Sequence, residues 1–167
     1  MLRILVIALV LLVGAMLLLP RARDAALPTE TATVVNAPLP LPSFSLTDTA
    51  GRPFGNGDLR GGYHLLFFGF THCPDICPLT LEVLRSVRER VAAQAPELEP
   101  LVTTLGVTVH KTEIDGQHYN VVHNGTIYVV GPKAGLVAVF GGSDHDAGMV
   151  AADYLRIRGV EPAKAVP

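Results

Sequence analysis

The sequence predicts a mixed α/β sandwich, and two patterns of apolar residues support this prediction. Residues 64–70 are almost all apolar and too few for a helix, which is typical of a strand buried on both faces. Farther along the chain, Leu84, Val87 and Val91 recur with charged residues between them, which is the period of an amphipathic helix. A buried strand that leads through a cysteine-bearing loop into a helix is the order of a thioredoxin-like sandwich.

Shorter elements are predicted around that central unit. Residues 48–51 are a turn signal between two short stretches, so a hairpin is expected at 44–46 and 52–54. The amphipathic helix is expected to start at Pro78, because proline suits the first helical position, and to end near Gln94.

Residues 96–109 allow two interpretations. Residues 101–105 are rich in β-branched side chains and suit a strand, but Pro96 before them and Gly106 after them are typical of helix ends. We expect a short helix here, followed by a short strand that starts at Val107.

The end of the chain completes the predicted sandwich. Residues 126–130 and 136–140 are expected to form two strands of a hairpin. A last helix is predicted at 147–157, with Asp144 or Asp146 as its N-cap.

The apolar start of the chain indicates a membrane anchor or a signal peptide. Residues 4–19 are uninterrupted apolar residues, slightly short of the roughly 20 that cross a bilayer. Residues 1–20 are therefore either an uncleaved anchor or a signal peptide cut after a small residue such as Ala15. We prefer the anchor, with the domain outside the cytoplasm, at the periplasmic face of the inner membrane in a bacterium.

The predicted domain organisation depends on that anchor. Residues 21–42 contain several prolines and no helical or strand period, so they are expected to be an extended linker. The folded domain is predicted at 43–158, with a tail at 159–167. A net charge of −2 without a basic block argues against nucleic acid as a partner.

The two cysteines of the chain, Cys73 and Cys77, lie between the predicted strand and helix. Each precedes a proline, which disfavours the α region, so Cys77 is expected at the helix N-cap and Cys73 on the loop. A helix N-terminus stabilises negative charge, so both thiols should ionise readily. Such a pair can form a structural disulfide, exchange disulfides with a partner, or bind a soft metal.

The spacing of the cysteines favours a metal, and one histidine can complete the site. The pair is one residue wider than the C-x-x-C of exchange catalysts. Two thiolates and an imidazole make a three-coordinate site for Cu(I) or Cu(II), whereas zinc normally takes a fourth ligand. His123, just before the strand predicted at 126–130, is the candidate, because in a thioredoxin-like sandwich that loop lies against the cysteines. The other histidines are less suitably placed: His64, His72, His110, His118 and His145.

An enzymatic alternative uses the same cysteines. Cys73 would be the attacking thiol and Cys77 the resolving thiol of a thiol–disulfide oxidoreductase, and no histidine would be needed.

The cysteine stretch resembles a family signature. Residues 68–78, Phe-Gly-Phe-Thr-His-Cys-Pro-Asp-Ile-Cys-Pro, resemble the motif of the Sco/SenC family of membrane-tethered copper proteins, and residues 115–132 resemble its histidine loop and hairpin. The resemblance implies a metallochaperone rather than an enzyme, with one copper per chain held by Cys73, Cys77 and His123.

The resemblance also implies partners. The implied task is to deliver copper to the CuA site of cytochrome c oxidase, or to keep the cysteines of that site reduced. The expected partners are the CuA-bearing subunit or another copper chaperone, and the membrane through the N-terminal segment.

The chain is shorter than the family pattern. Family members have a further strand, an acidic loop and another helix between the cysteine-bearing helix and the histidine, whereas Cys77 and His123 are only 46 positions apart. We therefore expect a shortened sandwich in which this strand is lost and one edge of the strand at 64–70 is exposed.

Overall fold

A computed structural model describes residues 29–69, 73, 75–106, 112–115, 118–120 and 125–160. The strands are β1 (Ala32–Pro40), β2 (Ser45–Thr47), β3 (Pro53–Gly55), β4 (His64–Gly69), β5 (Leu101–Gly106), β6 (Thr112–Asp115), β7 (His118–Asn120), β8 (Ile127–Val130) and β9 (Gly135–Phe140). The α-helices are α1 (Ile76–Gln94) and α2 (Ala147–Ile157), and single 3-10 turns lie at Asn56–Leu59 and Pro96–Leu98.

Strand β4 lies inside the main sheet, whose order is β1-β9-β8-β4-β5. It pairs in parallel with β5, where His64 faces Leu101 and Gly69 faces Gly106. On its other side it pairs antiparallel with β8, where Phe67 faces Ile127. The buried strand predicted from the apolar run is therefore confirmed.

Each face of the sheet has its own apolar cluster. Leu65 and Phe67 point to the helix side, where side chains of α1 and α2 cover them: Leu84, Val87, Val91, Val150, Ala151, Tyr154 and Leu155. Leu66 points to the opposite side and packs with Leu59 and Val130 beneath the β2–β3 hairpin. The mixed α/β sandwich that the sequence predicts is thus confirmed.

The prediction that residues 21–42 contain no strand is wrong for β1. This strand pairs antiparallel with β9, from Ala32 opposite Phe140 to Pro40 opposite Gly135. The register shifts between Val34 and Leu39. Prolines are tolerated here because β1 is an edge strand. On its outer side no neighbouring strand needs a hydrogen bond from the N–H that proline lacks.

The expectation of a short helix in this stretch is also wrong, whereas the strand expected from Val107 lies outside the described residues. Pro96–Leu98 is only one 3-10 turn, and β5 already begins at Leu101. Residues 101–106 form a strand despite the helix-end signals around them, because they pair with β4. This contact is between residues distant in sequence and cannot be predicted from a local pattern.

Strand β5 overturns the expectation of an exposed β4 edge. Helix α1 supplies the crossover that a parallel pair requires, so the strand expected to be lost is present. After β5, the described residues include a small hairpin of β6 and β7.

Other predicted elements are confirmed. The hairpin of β2 and β3, the hairpin of β8 and β9 and the last helix lie where the sequence indicates them. Of the two candidate caps, Asp146 is the N-cap of α2, and its side chain accepts a hydrogen bond from the backbone N of Met149 at 2.9 Å.

The buried carboxylate of Asp153, in the middle of α2, fastens the start of β1 to the domain. Its oxygens accept hydrogen bonds from the backbone N of Glu30, Thr31 and Ala32 at 2.7–3.0 Å, and from the Thr31 hydroxyl. Arg156 forms an ion pair with the same carboxylate. Burial favours the neutral acid, but these backbone N–H groups outweigh it and lower the pKa of Asp153 below its usual value.

The predicted membrane segment at 1–20 lies outside the described residues. Among those that the structure does describe, no helix combines the length and the apolar character that a bilayer crossing requires.

Replacing Asp153 tests this attachment. Asp153→Asn keeps the size but removes the charge, and we expect a loss of about 2–4 kcal/mol in the free energy of unfolding at pH 7, because hydrogen bonds to a charged group contribute about 1.5–3 kcal/mol. Since the folded pKa of Asp153 is lowered, the wild-type advantage is complete above the usual carboxyl value of 3.8 and disappears as the pH falls through the folded pKa.

Urea unfolding of both proteins between about pH 7 and 2 measures this difference. The exposed Asp144→Asn is the matched control and should change the free energy of unfolding by less than about 0.5 kcal/mol. A destabilisation that is the same at every pH would show that the charge of Asp153 is not what holds β1.

Candidate metal centre

Cys73 and Cys77 lie where β4 leaves the sheet and α1 begins. Cys73 is on the loop, as expected, and is partly buried. Cys77 is 5% exposed and is the second residue of α1, because Asp75 is the N-cap. The prediction of Cys77 as N-cap is therefore wrong: Pro78 fits inside the first turn, where backbone N–H groups have no helical acceptor anyway.

The first turn of α1 directs a backbone donor at the Cys73 sulfur. The backbone N–H of Cys77 donates a hydrogen bond to Cys73 Sγ at 3.3 Å. The side chain of the N-cap residue Asp75 makes no capping bond, so the sulfur takes the place of the usual capping oxygen. The positive end of the helix favours negative charge on both sulfurs.

The acidic residues of α1 are distributed unevenly around the cysteines. No acidic residue occupies the first turn of α1. The exposed acidic side chains of the helix lie farther along, where Glu82 and Glu89 pair with Arg85. The helix end therefore acts on the sulfurs beside one nearby carboxylate, that of the N-cap residue Asp75, which is exposed to solvent.

The chain that enters β8 packs directly against this turn. Gly125 is buried and lies so close that a Cβ atom placed on it would be 3.0 Å from Thr80 Oγ1 and 2.8 Å from Ser143 Cα. Thr80 is fixed in turn, because its hydroxyl donates to the carbonyl of Ile76 at 2.8 Å. His145 Nε2 lies 2.8 Å from the Gly125 carbonyl oxygen.

Gly125, Thr80 and His145 were not identified from the sequence. A small residue two positions after the candidate ligand His123 was the one available signal for Gly125. In the sequence His145 only adjoins the candidate cap Asp146, and its hydrogen bond with Gly125 is formed between residues 20 positions apart.

His123 lies outside the described residues, as does His72. In the described part of the chain, no group of three or more histidine, cysteine, aspartate or glutamate side chains converges as a metal site. The structure therefore brings Cys73 and Cys77 together and leaves the third predicted ligand as a prediction.

His64 belongs to the fold and not to the cysteine site. It is buried at the opposite end of β4 from the cysteine loop, and its Nδ1 lies 3.1 Å from Thr103 Oγ1. Its Nε2 has no hydrogen-bond partner among the described residues, and burial lowers the pKa of its imidazole.

Comparison with known proteins agrees with this arrangement. A family model described as SCO1/SenC matches residues 36–106, which include both cysteines. The mouse protein SCO2 homolog, mitochondrial, is 50% identical over 66 residues, which cover 40% of this chain and 25% of that protein. A Stutzerimonas stutzeri protein named as a candidate copper-binding protein is 31% identical over 136 residues, 58% of this chain and 66% of that one.

The solved structures show the same fold. Arabidopsis thaliana ScoI with copper bound superposes with a TM-score of 0.58 at 23% identity, over 71% of this chain and 98% of that one. The signature around the two cysteines, the family match and the thioredoxin-like fold of these structures agree, and this part of the chain, residues 36–106, belongs to the SCO1/SenC family.

Proposed function

We propose that this protein binds one copper ion per chain through Cys73, Cys77 and His123 and acts as a metallochaperone. The observation that carries the proposal is the position of Cys73 Sγ, held 3.3 Å from the backbone N of Cys77 at the start of α1. Two thiolates at a helix N-terminus are a soft, electron-rich pair, which suits Cu(I).

The packing of Gly125 supports His123 as the third ligand. Gly125 lies against Thr80, three residues after Cys77 in the same helix. Two residues of chain extend at most about 7 Å, so His123 is tied within that distance of Gly125. This short connection to a residue packed against α1 supports the choice of His123 as the third ligand.

The family resemblance supports a specific recipient. We infer that the protein delivers copper to the CuA site of cytochrome c oxidase or maintains its thiols in the reduced state. A site of three ligands, open on one side, suits a carrier because an acceptor can bind the metal before the carrier releases it.

The membrane anchor at residues 1–20 is part of the same proposal. Ala32 lies opposite Phe140, Phe140 opposite Ile127, and Ile127 opposite Phe67, so β1 starts at the end of the sheet that carries the cysteine loop. Residues 21–28 can extend over about 28 Å at most. An anchor would therefore keep the cysteine end of the domain near the membrane surface, outside the cytoplasm.

Copper titration tests the ligand set. The purified full-length chain is expected to bind one Cu(I), and Cys73→Ser or Cys77→Ser should abolish tight binding. His123→Ala should weaken binding about tenfold or more, because two sulfurs remain as ligands. His118→Ala is the matched control and should retain wild-type affinity. Unchanged affinity and unchanged Cu(II) absorption in His123→Ala would exclude the three-ligand site.

The thiol–disulfide oxidoreductase remains a second candidate, favoured by one observation. Cys73 is partly exposed and Cys77 is buried, which is the arrangement of an attacking and a resolving thiol. A redox titration separates the two functions. For the metallochaperone we expect a stable disulfide with a potential below about −300 mV, whereas exchange catalysts lie between about −270 and −120 mV.

Membrane fractionation tests the anchor. The full-length chain should remain with membranes after an alkaline carbonate wash, and an impermeant thiol reagent should label Cys73 from outside the cytoplasm. A form that lacks residues 1–20, directed to the same compartment, should be soluble. Release of the full-length chain by carbonate would contradict the anchor.

A further inference from the structure

We propose that His145 is a positioning residue for the copper ligand His123. Its Nε2–H donates a hydrogen bond to the carbonyl oxygen of Gly125 at 2.8 Å and so fixes the backbone two residues after His123. The inference rests on the proposed copper site and adds a residue to it that makes no contact with the metal.

The direction of this hydrogen bond is set by its chemistry. A carbonyl oxygen only accepts, so the Nε2 atom of His145 must carry the hydrogen. His145 itself is held at the start of α2, because the next residue, Asp146, is fixed as N-cap through its bond to Met149. The donor is therefore attached directly to the N-cap of α2.

Close packing prevents Gly125 from shifting away from this donor. A Cβ atom on Gly125 would lie 2.8 Å from Ser143 Cα and 3.0 Å from both Ser143 Cβ and Thr80 Oγ1. Thr80 is 1% exposed and its hydroxyl donates a hydrogen bond to the Ile76 carbonyl, so this side chain of α1 is held against Gly125. We call this packed and hydrogen-bonded segment, made by Thr80, Gly125, Ser143 and His145, the Gly125 clamp.

The Gly125 clamp connects the two halves of the proposed site. On one side, Thr80 lies in the first turns of α1, which also contain Cys77. On the other side, Gly125 is joined through Asn124 to His123. Residues that orient a metal ligand without touching the metal typically change metal affinity about 10- to 100-fold when they are replaced. His145 should act in this way, through the backbone.

Two substitutions at one position test this role. His145→Phe keeps a ring of similar size but removes the donor, and we expect Cu(I) affinity to fall about tenfold, with a changed Cu(II) absorption spectrum. His145→Gln keeps an N–H donor at a similar reach and should retain affinity within about twofold of the wild type. Unfolding of each apoprotein shows whether the fold is intact.

A double-mutant cycle separates positioning from a general structural effect. If His145 acts through His123, then His145→Phe should cause no further loss of affinity in a His123→Ala background. An equal loss in both backgrounds, or none in either, would overturn the inference while the proposed function stands. Wild-type protein that binds no Cu(I) would instead refute the proposed function itself, and with it the positioning role.

Gly125→Ala provides an independent approach to the same clamp. The added methyl group would force the segment away from Ser143 and Thr80, so we expect weaker Cu(I) binding with the same dependence on His123. Wild-type affinity in a folded Gly125→Ala protein would contradict the inference, because it would show that the position of this segment does not matter to the metal.

Discussion

Strand β4 is paired on both of its edges, and the main sheet and its two apolar clusters are arranged around it. With β5 on one side and β8 on the other, the backbone of this strand is hydrogen-bonded along its length, and its side chains are buried on both faces. A strand held in this way cannot slip in register without exposing apolar side chains. Its last residue, Gly69, is therefore held in place four residues before Cys73.

That position explains the chemistry of the cysteines better than their spacing alone. The loop returns Cys73 to the first turn of α1, where a backbone N–H that no helical carbonyl can reach finds a sulfur acceptor. The bond and the helix dipole act in the same direction, since both stabilise negative charge on sulfur. Cysteines stabilised as thiolates in this way suit either a soft metal or disulfide exchange.

Helix α2 and the residues just before it contribute two attachments between segments that are distant in sequence. Asp153, in the middle of the helix, binds the backbone at Glu30, Thr31 and Ala32 and thereby joins the start of β1 to the domain. His145, just before the helix, binds the Gly125 carbonyl where the chain enters β8. Both side chains satisfy backbone groups of irregular segments, which is how a helix can hold loops that make no ladder of their own.

Elements with local signals could be predicted from the sequence: the apolar run of β4, the helical period of α1, the turns of the hairpins and the position of both cysteines between a strand and a helix. Each depends on residues only a few positions apart, so side-chain period and proline position suffice. Tertiary structure decided the rest. Residues 32–40 form a strand because they pair with β9, and a strand begins at Leu101 because it pairs with β4. His145 forms a hydrogen bond with Gly125, which lies 20 positions earlier in the sequence. These outcomes depend on partners that are close in space and distant in sequence, which local patterns cannot report.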